Sequence, residues 1–512
     1  MSSQQTPTPE LLDVLIIGAG ISGLGMCYNM KKTRPQDSMA VIEGRENIGG
    51  TWDLFKYPGI RSDSDMYTFA YSFKAWTDKE YIGSAERINH YLNEMVEDQG
   101  LRSHIRFQQK VKKADWQSDE NRWLVTIEKH DGSEYQIAAK FFICGTGYYN
   151  YDKGYLPEFE GYDEFNGTIA HPQHWPQDLD YSNKKVVVIG SGATAVTVVP
   201  SMAKTAAHVT MLQRSPTYVV SRPDSDLLFR VISKFLPKGL TNKIMRAKYI
   251  TMQQMVFILS RRFPNAVRKL IRHLNAQDLA GSADVDEHFN PNYKPWDQRL
   301  ALVPNADLFE SVREGKASIV TDHIDRFTPT GVLTKSGQHI DADIIVPATG
   351  LDLQLWGGID LNVDGTKVDA TKLTNYKGMM FSQLPNFVWV FGYTNASWTL
   401  KAELTYDYVD RLLSFMKKNN YKSVFPYLEP EKAAEKTVAV DLQSGYILRA
   451  LDRLPNQGIH FPWRNKDLYF KDVFAIKRSK LNDGILHFDD NQQLKPFYKD
   501  HKVTDDSSKA VA

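Results

Sequence analysis

The chain has 512 residues, 42% hydrophobic and 24% charged, ordinary globular values that allow roughly two to four domains at 100 to 200 residues each. With 62 Lys+Arg against 61 Asp+Glu, the net charge of +1 argues against nucleic acid or another polyanion as partner. Two cysteines, Cys27 and Cys144, outside any C-x-x-C pair or metal-ligand cluster, exclude a disulfide framework and a metal site; with no leader peptide and no apolar run of roughly 18 to 20 residues, a cytoplasmic location is expected.

Residues 11–17 read as a buried strand broken only by Asp13, and they run straight into Gly18, Gly20 and Gly23 of a G-x-G-x-x-G turn and then a helix to about residue 32. In that context the pattern is a dinucleotide fingerprint. Gly18 permits the turn, Gly20 admits the pyrophosphate to the backbone, and Gly23 lets the helix pack on the strand, with the helix N-terminus favouring the phosphate charge. The next strand, 39–42, ends at Glu43, whose carboxylate can accept from both ribose hydroxyls and would repel a 2′-phosphate. This selects FAD or NAD over NADP.

Residues 141–147 form a second buried strand that ends in the small-Thr-Gly turn Gly145, Thr146, Gly147. A second fingerprint follows the strand at 185–189, with Gly190, Gly192 and Ala195 in the glycine positions, Ala195 being an accepted small variant. Its next strand, 208–212, leads not to an acid but to Gln213, Arg214 and Ser215. A guanidinium there matches a 2′-phosphate bidentately, although a lone arginine could equally be a solvated surface charge. The first site therefore reads as FAD and the second as NADP.

From 227 to 275 there is no Asp or Glu, while eleven basic residues occur, so the rest of the chain is acidic. Apolar Leu227, Leu228, Val231, Ile232, Phe235 and Leu236 recur at helical spacing. Such a basic amphipathic pair of helices either covers the second nucleotide domain and walls a substrate entrance, which is the favoured reading, or makes weak peripheral contact with an anionic membrane. Residues 344–350 repeat the strand and small-Thr-Gly turn at Ala348, Thr349 and Gly350, and 501–512 read as a polar tail. The fold expected is α/β, with two Rossmann-like dinucleotide-binding domains: FAD at 1–149, resumed at 386–500 with substrate-cavity loops, and NADP at 150–385, carrying a helical insertion at about 224–290.

Between the fingerprints, Phe165, Gly167, His171, Trp175 and Pro176 match F-x-G-x-x-x-H-x-x-x-W-P, and Gly49, Gly50, Trp52, Tyr57, Pro58, Gly59 and Asp63 match G-G-x-W-x-x-x-x-Y-P-G-x-x-x-D. On these residues the chain resembles the Baeyer–Villiger monooxygenases over about residues 10–460. Pro295 to Leu300 and Gly392 to Trp398 give it the flavour of the ethionamide-activating bacterial type. The resemblance implies that NADPH reduces FAD, that O2 adds to give a C4a-peroxyflavin, and that a ketone becomes an ester or lactone, with thioethers also sulfoxidised.

The family's P-x-x-K-R pattern falls on Pro295, Gln298 and Arg299. The resemblance makes Arg299 the cation for the peroxide and the NADP amide, and Asp63 the carboxylate that orients it; arginine suits the task because it does not donate its proton. Gln298 stands where many members have a lysine on the 2′-phosphate, which leaves Arg214 as the main basis for NADPH selection. His171 is read within the linker that couples nicotinamide binding to domain rearrangement, and Asp63, as a bare residue, could instead cap a helix at 66–73. An N- or S-oxygenating flavin monooxygenase, or a non-catalytic dinucleotide redox sensor, are the competing readings; the absence of a redox cysteine pair excludes a disulfide reductase.

Overall fold

Alternation along Glu10–Ile17 buries Val14 and Ile16 in one core cluster and Leu15 and Ile17 in another, so the strand is covered on both faces and reads as a continuous apolar run. Asp13 interrupts it without cost because its carboxylate meets Lys140 Nζ at 2.8 Å and Ser38. These features come from a computed structural model of the chain, which describes residues 8–429, 437 and 443–500. The polar tail expected at 501–512 lies outside the described residues.

The first sheet has Glu10–Ile17 between Met39–Ile42 and Glu134–Cys144, all parallel. Glu134–Cys144 does two jobs: its first half pairs antiparallel with Arg122–Lys129, and its second half carries the parallel partners Glu10–Ile17 and Phe387–Trp389. One face is covered by the helices Ile21–Thr33, Ala85–Asp98 and Trp398–Asn419. The opposite face buries Trp116 and Trp123, whose rings meet at 5.8 Å.

The second sheet is parallel throughout, in the order Ala317–Thr321, His208–Gln213, Lys185–Ile189, Ile344–Pro347, Thr168–Ile169. Val186 and Val188 face one cluster with the helix Ala193–Met202, while Val187 and Ile189 face another under the small antiparallel sheet Ile324–Thr328, Gly331–Thr334, His339–Asp341. This is a doubly wound order, with the fingerprint strand central.

Two expectations shift. The chain rejoins the first sheet not near 385 but at Asp360–Val363, which pairs parallel with Gln109–Gln117. The reason is hydrophobic: Trp356, Ile359, Leu361 and Val363 already bury into the first unit's core. The basic stretch yields three helices rather than a pair, Leu227–Ile232, Lys238–Arg262 and Pro264–Leu279. Pro264 forces the second break because it occupies the first helical position after Phe263, where its missing N–H is harmless.

The long helix Lys238–Arg262 packs Met245 and Tyr249 against Tyr67 and Tyr81. Its Arg246 donates to the carbonyls of Tyr67, Thr68 and Ala70 and pairs with Glu403 at 2.8 Å. The insertion therefore braces the first unit as well as covering the second.

Trp123 joins the antiparallel strands to the returning chain: its Nε1 donates to Pro385 O at 3.2 Å and its ring packs on Phe142 and Phe387. Trp123→Ala is expected to destabilise the fold by about 3–5 kcal/mol. A denaturant midpoint close to that of the parent chain would show that this junction does not limit stability.

Candidate functional site

The two fingerprint turns face each other across one cavity of about 1210 Å³. That exceeds the roughly 300–1,000 Å³ of a pocket for one small ligand. Each turn is built around bare backbone. Gly18, at φ +91°, lies so close to the Gly145–Thr146 turn that a Cβ would come 2.9 Å from Gly145 O. Gly190, at φ +134°, repeats this against Ala348, where a Cβ would meet the carbonyl oxygen at 2.4 Å. The two small-Thr-Gly turns thus seat the first glycine of each fingerprint.

Gly23 admits no side chain, since a Cβ would sit 1.8 Å from Gly18 O; it does not line the cavity but lets the helix Ile21–Thr33 close on its strand. Ala195 is fully buried in the corresponding place. Gly20 faces Gly50 across a slot where a Cβ on Gly20 would be 3.6 Å from Gly50 Cα. Both helices, Ile21–Thr33 and Ala193–Met202, begin with a glycine cap, no side-chain cap bond and no acid in the first turn, leaving their N–H groups for an anion. These cradles fit dinucleotide phosphates.

Glu43 is buried beside the first turn and accepts from Ala19 N at 2.6 Å and Arg45 N at 2.9 Å. Burial pushes its carboxyl above the ordinary range, and the two backbone bonds work against that rise. It lines the cavity together with Trp52, Asp63, Ser215, Gln298 and Arg299; Arg214 is exposed at the second turn's side of the same space. Trp398 is also there, stacked on Tyr148 at 5.5 Å and donating to Ser22 Oγ at 2.7 Å.

Arg299 projects from the loop before Ala301–Pro304. That loop is pinned at Asp297, which accepts from Arg261 at 2.8 Å and from Lys294 N, while its carbonyl accepts from Gln443 N. The Arg299 guanidinium lies 3.8 Å from Asp63 Oδ2, and its Nε is buried without a hydrogen-bond partner among the described residues. Burial works against its charge, but the oxygens of Tyr148, Tyr446, Asp63 and Tyr149 outweigh this and hold it well above its ordinary value. Tyr148 and Tyr149 hydroxyls bond each other at 2.8 Å.

These tyrosines were missed in the sequence. Tyr148 and Tyr149 directly follow the Gly145–Gly147 turn, a signal that was available; Tyr446 lies in a segment with no motif.

The helix-capping role open to Asp63 belongs instead to Asp65, which accepts from Thr68 N at 2.9 Å at the start of Met66–Phe69. Asp63 is left free to face Arg299. None of Phe165, Gly167, His171, Trp175 and Pro176 lines the cavity. Gly167 packs against Asp343 O and the Phe165 ring, beside the edge strand Thr168–Ile169. His171 caps a turn through Gln173 N, packs on Gly154, and is pushed below its ordinary value by burial, so it is neutral at neutral pH. Both cysteines are buried, and burial pushes the thiol of Cys27 up to about 12 and that of Cys144 up to about 11.

Residues 12–388 match the family model described as flavin-binding monooxygenase-like. The chain is 49% identical to the FAD-containing monooxygenase EthA of Mycolicibacterium smegmatis over 94% of its own length and 97% of that protein. It is 47% identical to the probable FAD-binding monooxygenase AlmA of Acinetobacter baylyi, over 93% and 96% of the two chains. Among solved structures, the oxidized steroid monooxygenase bound to NADP superposes with a TM-score of 0.70 at 22% identity, covering 93% of this chain and 99% of that one, a likeness of fold.

Asp65 also accepts from Gln253 of the insertion at 2.5 Å, and burial raises its pKa to about 6 against the bonds from Thr68 and Gln253 and the charge of Arg246. A carboxyl raised in the folded state contributes stability that is full below its unfolded value, near 4, and is lost as pH rises through about 6. Asp65→Asn should flatten the dependence of unfolding free energy on pH between about 4 and 6. An unchanged slope would place the titration elsewhere.

Proposed function

The chain belongs to the flavin-binding monooxygenase-like family, and from that premise we propose that it is an FAD-containing, NADPH- and O2-dependent Baeyer–Villiger monooxygenase that converts ketones to esters or lactones and sulfoxidises thioethers. The observation that carries the reading is Arg299, a cation 3.8 Å from Asp63 in the cavity that both fingerprints share. Bound FAD, reduced by NADPH, supplies the activation of O2.

The chain's own residues bind and orient. The N–H groups following Gly20 and Gly192 hold the two pyrophosphates, Glu43 serves the FAD ribose, and Arg214 with Ser215 the 2′-phosphate of NADPH. Arg299 stabilises negative charge that develops on oxygen and, held well above its ordinary value, gives up no proton to it. Asp63, 3.8 Å away, offsets the guanidinium charge beside the phenols of Tyr148, Tyr149 and Tyr446. The signature residues from Phe165 to Pro176 lie outside the cavity, around the edge strand Thr168–Ile169 of the second sheet, and serve to couple nicotinamide binding to domain rearrangement rather than to transfer protons.

Substrate would come from a lipid surface. The helices Leu227–Ile232, Lys238–Arg262 and Pro264–Leu279 leave Leu227 68% exposed and Phe235 80% exposed, with Met255, Phe263 and Leu270 also in the open, on a stretch without a carboxylate. Arg230, Lys234 and Lys243 stand among them. Apolar side chains within a basic field favour peripheral contact with anionic lipid. Among the described residues no helix is long and apolar enough to cross a membrane.

Three outcomes test the proposal. Incubated with NADPH, O2 and a linear methyl ketone, the protein should yield ester in proportion to NADPH consumed; hydrogen peroxide alone, whatever ketone or thioether is offered, would overturn the reading. Arg299→Ala should retain FAD and NADPH oxidation while ester formation falls at least about 100-fold, and a normal ester yield would remove Arg299 from the chemistry. The protein should sediment with phosphatidylglycerol vesicles and not with phosphatidylcholine ones, and Phe235→Asp should abolish this; equal behaviour with both lipids would count against an electrostatic surface contact.

A further inference from the structure

NADPH carries about two negative charges on its 2′-phosphate and two more on its diphosphate. Against these the second fingerprint offers one guanidinium, Arg214, and the partial positive charge of a helix N-terminus. Gln298, which also lines the cavity, adds none.

A further cation faces the same space from outside the second sheet. Arg449 ends the short helix Gly445–Leu448, whose Ile447, like the neighbouring Ala450, is anchored in a cluster with Leu353. Its guanidinium carbon lies 3.4 Å from the centre of the Tyr155 ring, and Nη2 donates to Leu351 O at 3.4 Å, just past the Ala348–Gly350 turn that seats Gly190. The nearby carboxylate of Asp352 is already taken by Arg453 and Asn150. Among the described residues, neither Arg449 nor Arg214 has a carboxylate within 4 Å, whereas Arg453, one turn on, does.

We propose that Arg449 is a second specificity residue for NADPH, closing on the 2′-phosphate together with Arg214. The proposal rests on the NADPH reading above. Burial, and after it the positive charge of Arg214, push Arg449 below its ordinary value, against the pull of Tyr155 and Asp352. Two like charges held on one open space are relieved when an anion enters between them. Beyond its bond to Leu351 O, the guanidinium has further N–H groups, and the fork they form suits phosphate oxygens.

The test is calorimetric titration of the FAD-loaded protein with 2′,5′-ADP and with 5′-AMP, which differ by the 2′-phosphate alone. Arg449→Ala should weaken 2′,5′-ADP roughly tenfold and leave 5′-AMP within about twofold. Arg449→Lys should recover part of the loss, and Arg214→Ala should show the same selectivity. Unchanged 2′,5′-ADP affinity in Arg449→Ala overturns the proposal while leaving the NADPH reading intact. So does an equal loss for both ligands, which would put Arg449 on the 5′-phosphate. If the parent protein does not distinguish the two ligands, the NADPH reading itself fails and the proposal with it. Arg449 is exposed, so FAD content should be unchanged in either variant.

Discussion

Two contacts between bare stretches of backbone set the geometry on which everything else in this molecule rests. Gly18 lies on the turn at Gly145, and Gly190 lies on the turn at Ala348. In each case a parallel strand ends beside the fingerprint strand, Glu134–Cys144 in the first sheet and Ile344–Pro347 in the second, and the small residue that follows it, Gly145 or Ala348, leaves at most a methyl group between the two loops. The helix that follows each fingerprint can then start at the sheet edge with its N–H groups uncapped. A methyl group at Gly18 or Gly190 would have to displace a carbonyl oxygen, and the phosphate cradle would move with it.

Much of this was legible because it is local. A strand buried on both faces, a glycine turn and a helix start all leave their mark within about 25 residues, and the carboxylate or guanidinium at the end of the next strand sits at a fixed remove. Arg299 and Asp63 came through pattern resemblance, and the fold brings them together from positions far apart in the chain. What was lost is what depends on tertiary context. Asp63 and Asp65 look equivalent as helix caps, and only the course of the strand Arg61–Asp65 turns one inward to Thr68 and the other toward the cavity. The early return at Asp360 is decided by burial of Trp356 and Leu361 in a core whose larger part comes from residues 12–144, more than 200 positions earlier. Tyr446 enters the arginine's surroundings from a segment without any pattern of its own.

The insertion shows how one stretch can carry opposed demands. Its apolar spacing predicted a buried face, yet Leu227, Val231 and Phe235 are open, while the long helix that follows buries Met245, Tyr249 and Gln254 against the first unit. Gln253 reaches Asp65 and Thr68, Arg246 gathers three carbonyls and Glu403, and Arg261 holds the loop that carries Arg299. A single helix thus ties the first unit, the second and the loop of Arg299 together, so that its placement and theirs are one variable.

The buried cysteines have a consequence for the lifetime of such a protein. With thiols pushed up to about 12 and about 11, Cys27 and Cys144 hold almost no thiolate at neutral pH and offer no surface for attack. A flavin monooxygenase that occasionally leaks hydrogen peroxide is its own nearest source of oxidant. Here, among the described residues, the exposed methionine is Met255, 55% exposed on the helix Lys238–Arg262, where conversion to a sulfoxide would add polarity to a helix surface and leave the cavity untouched. Oxidative wear would accordingly register first on the surface of the insertion, well before it reached the cavity.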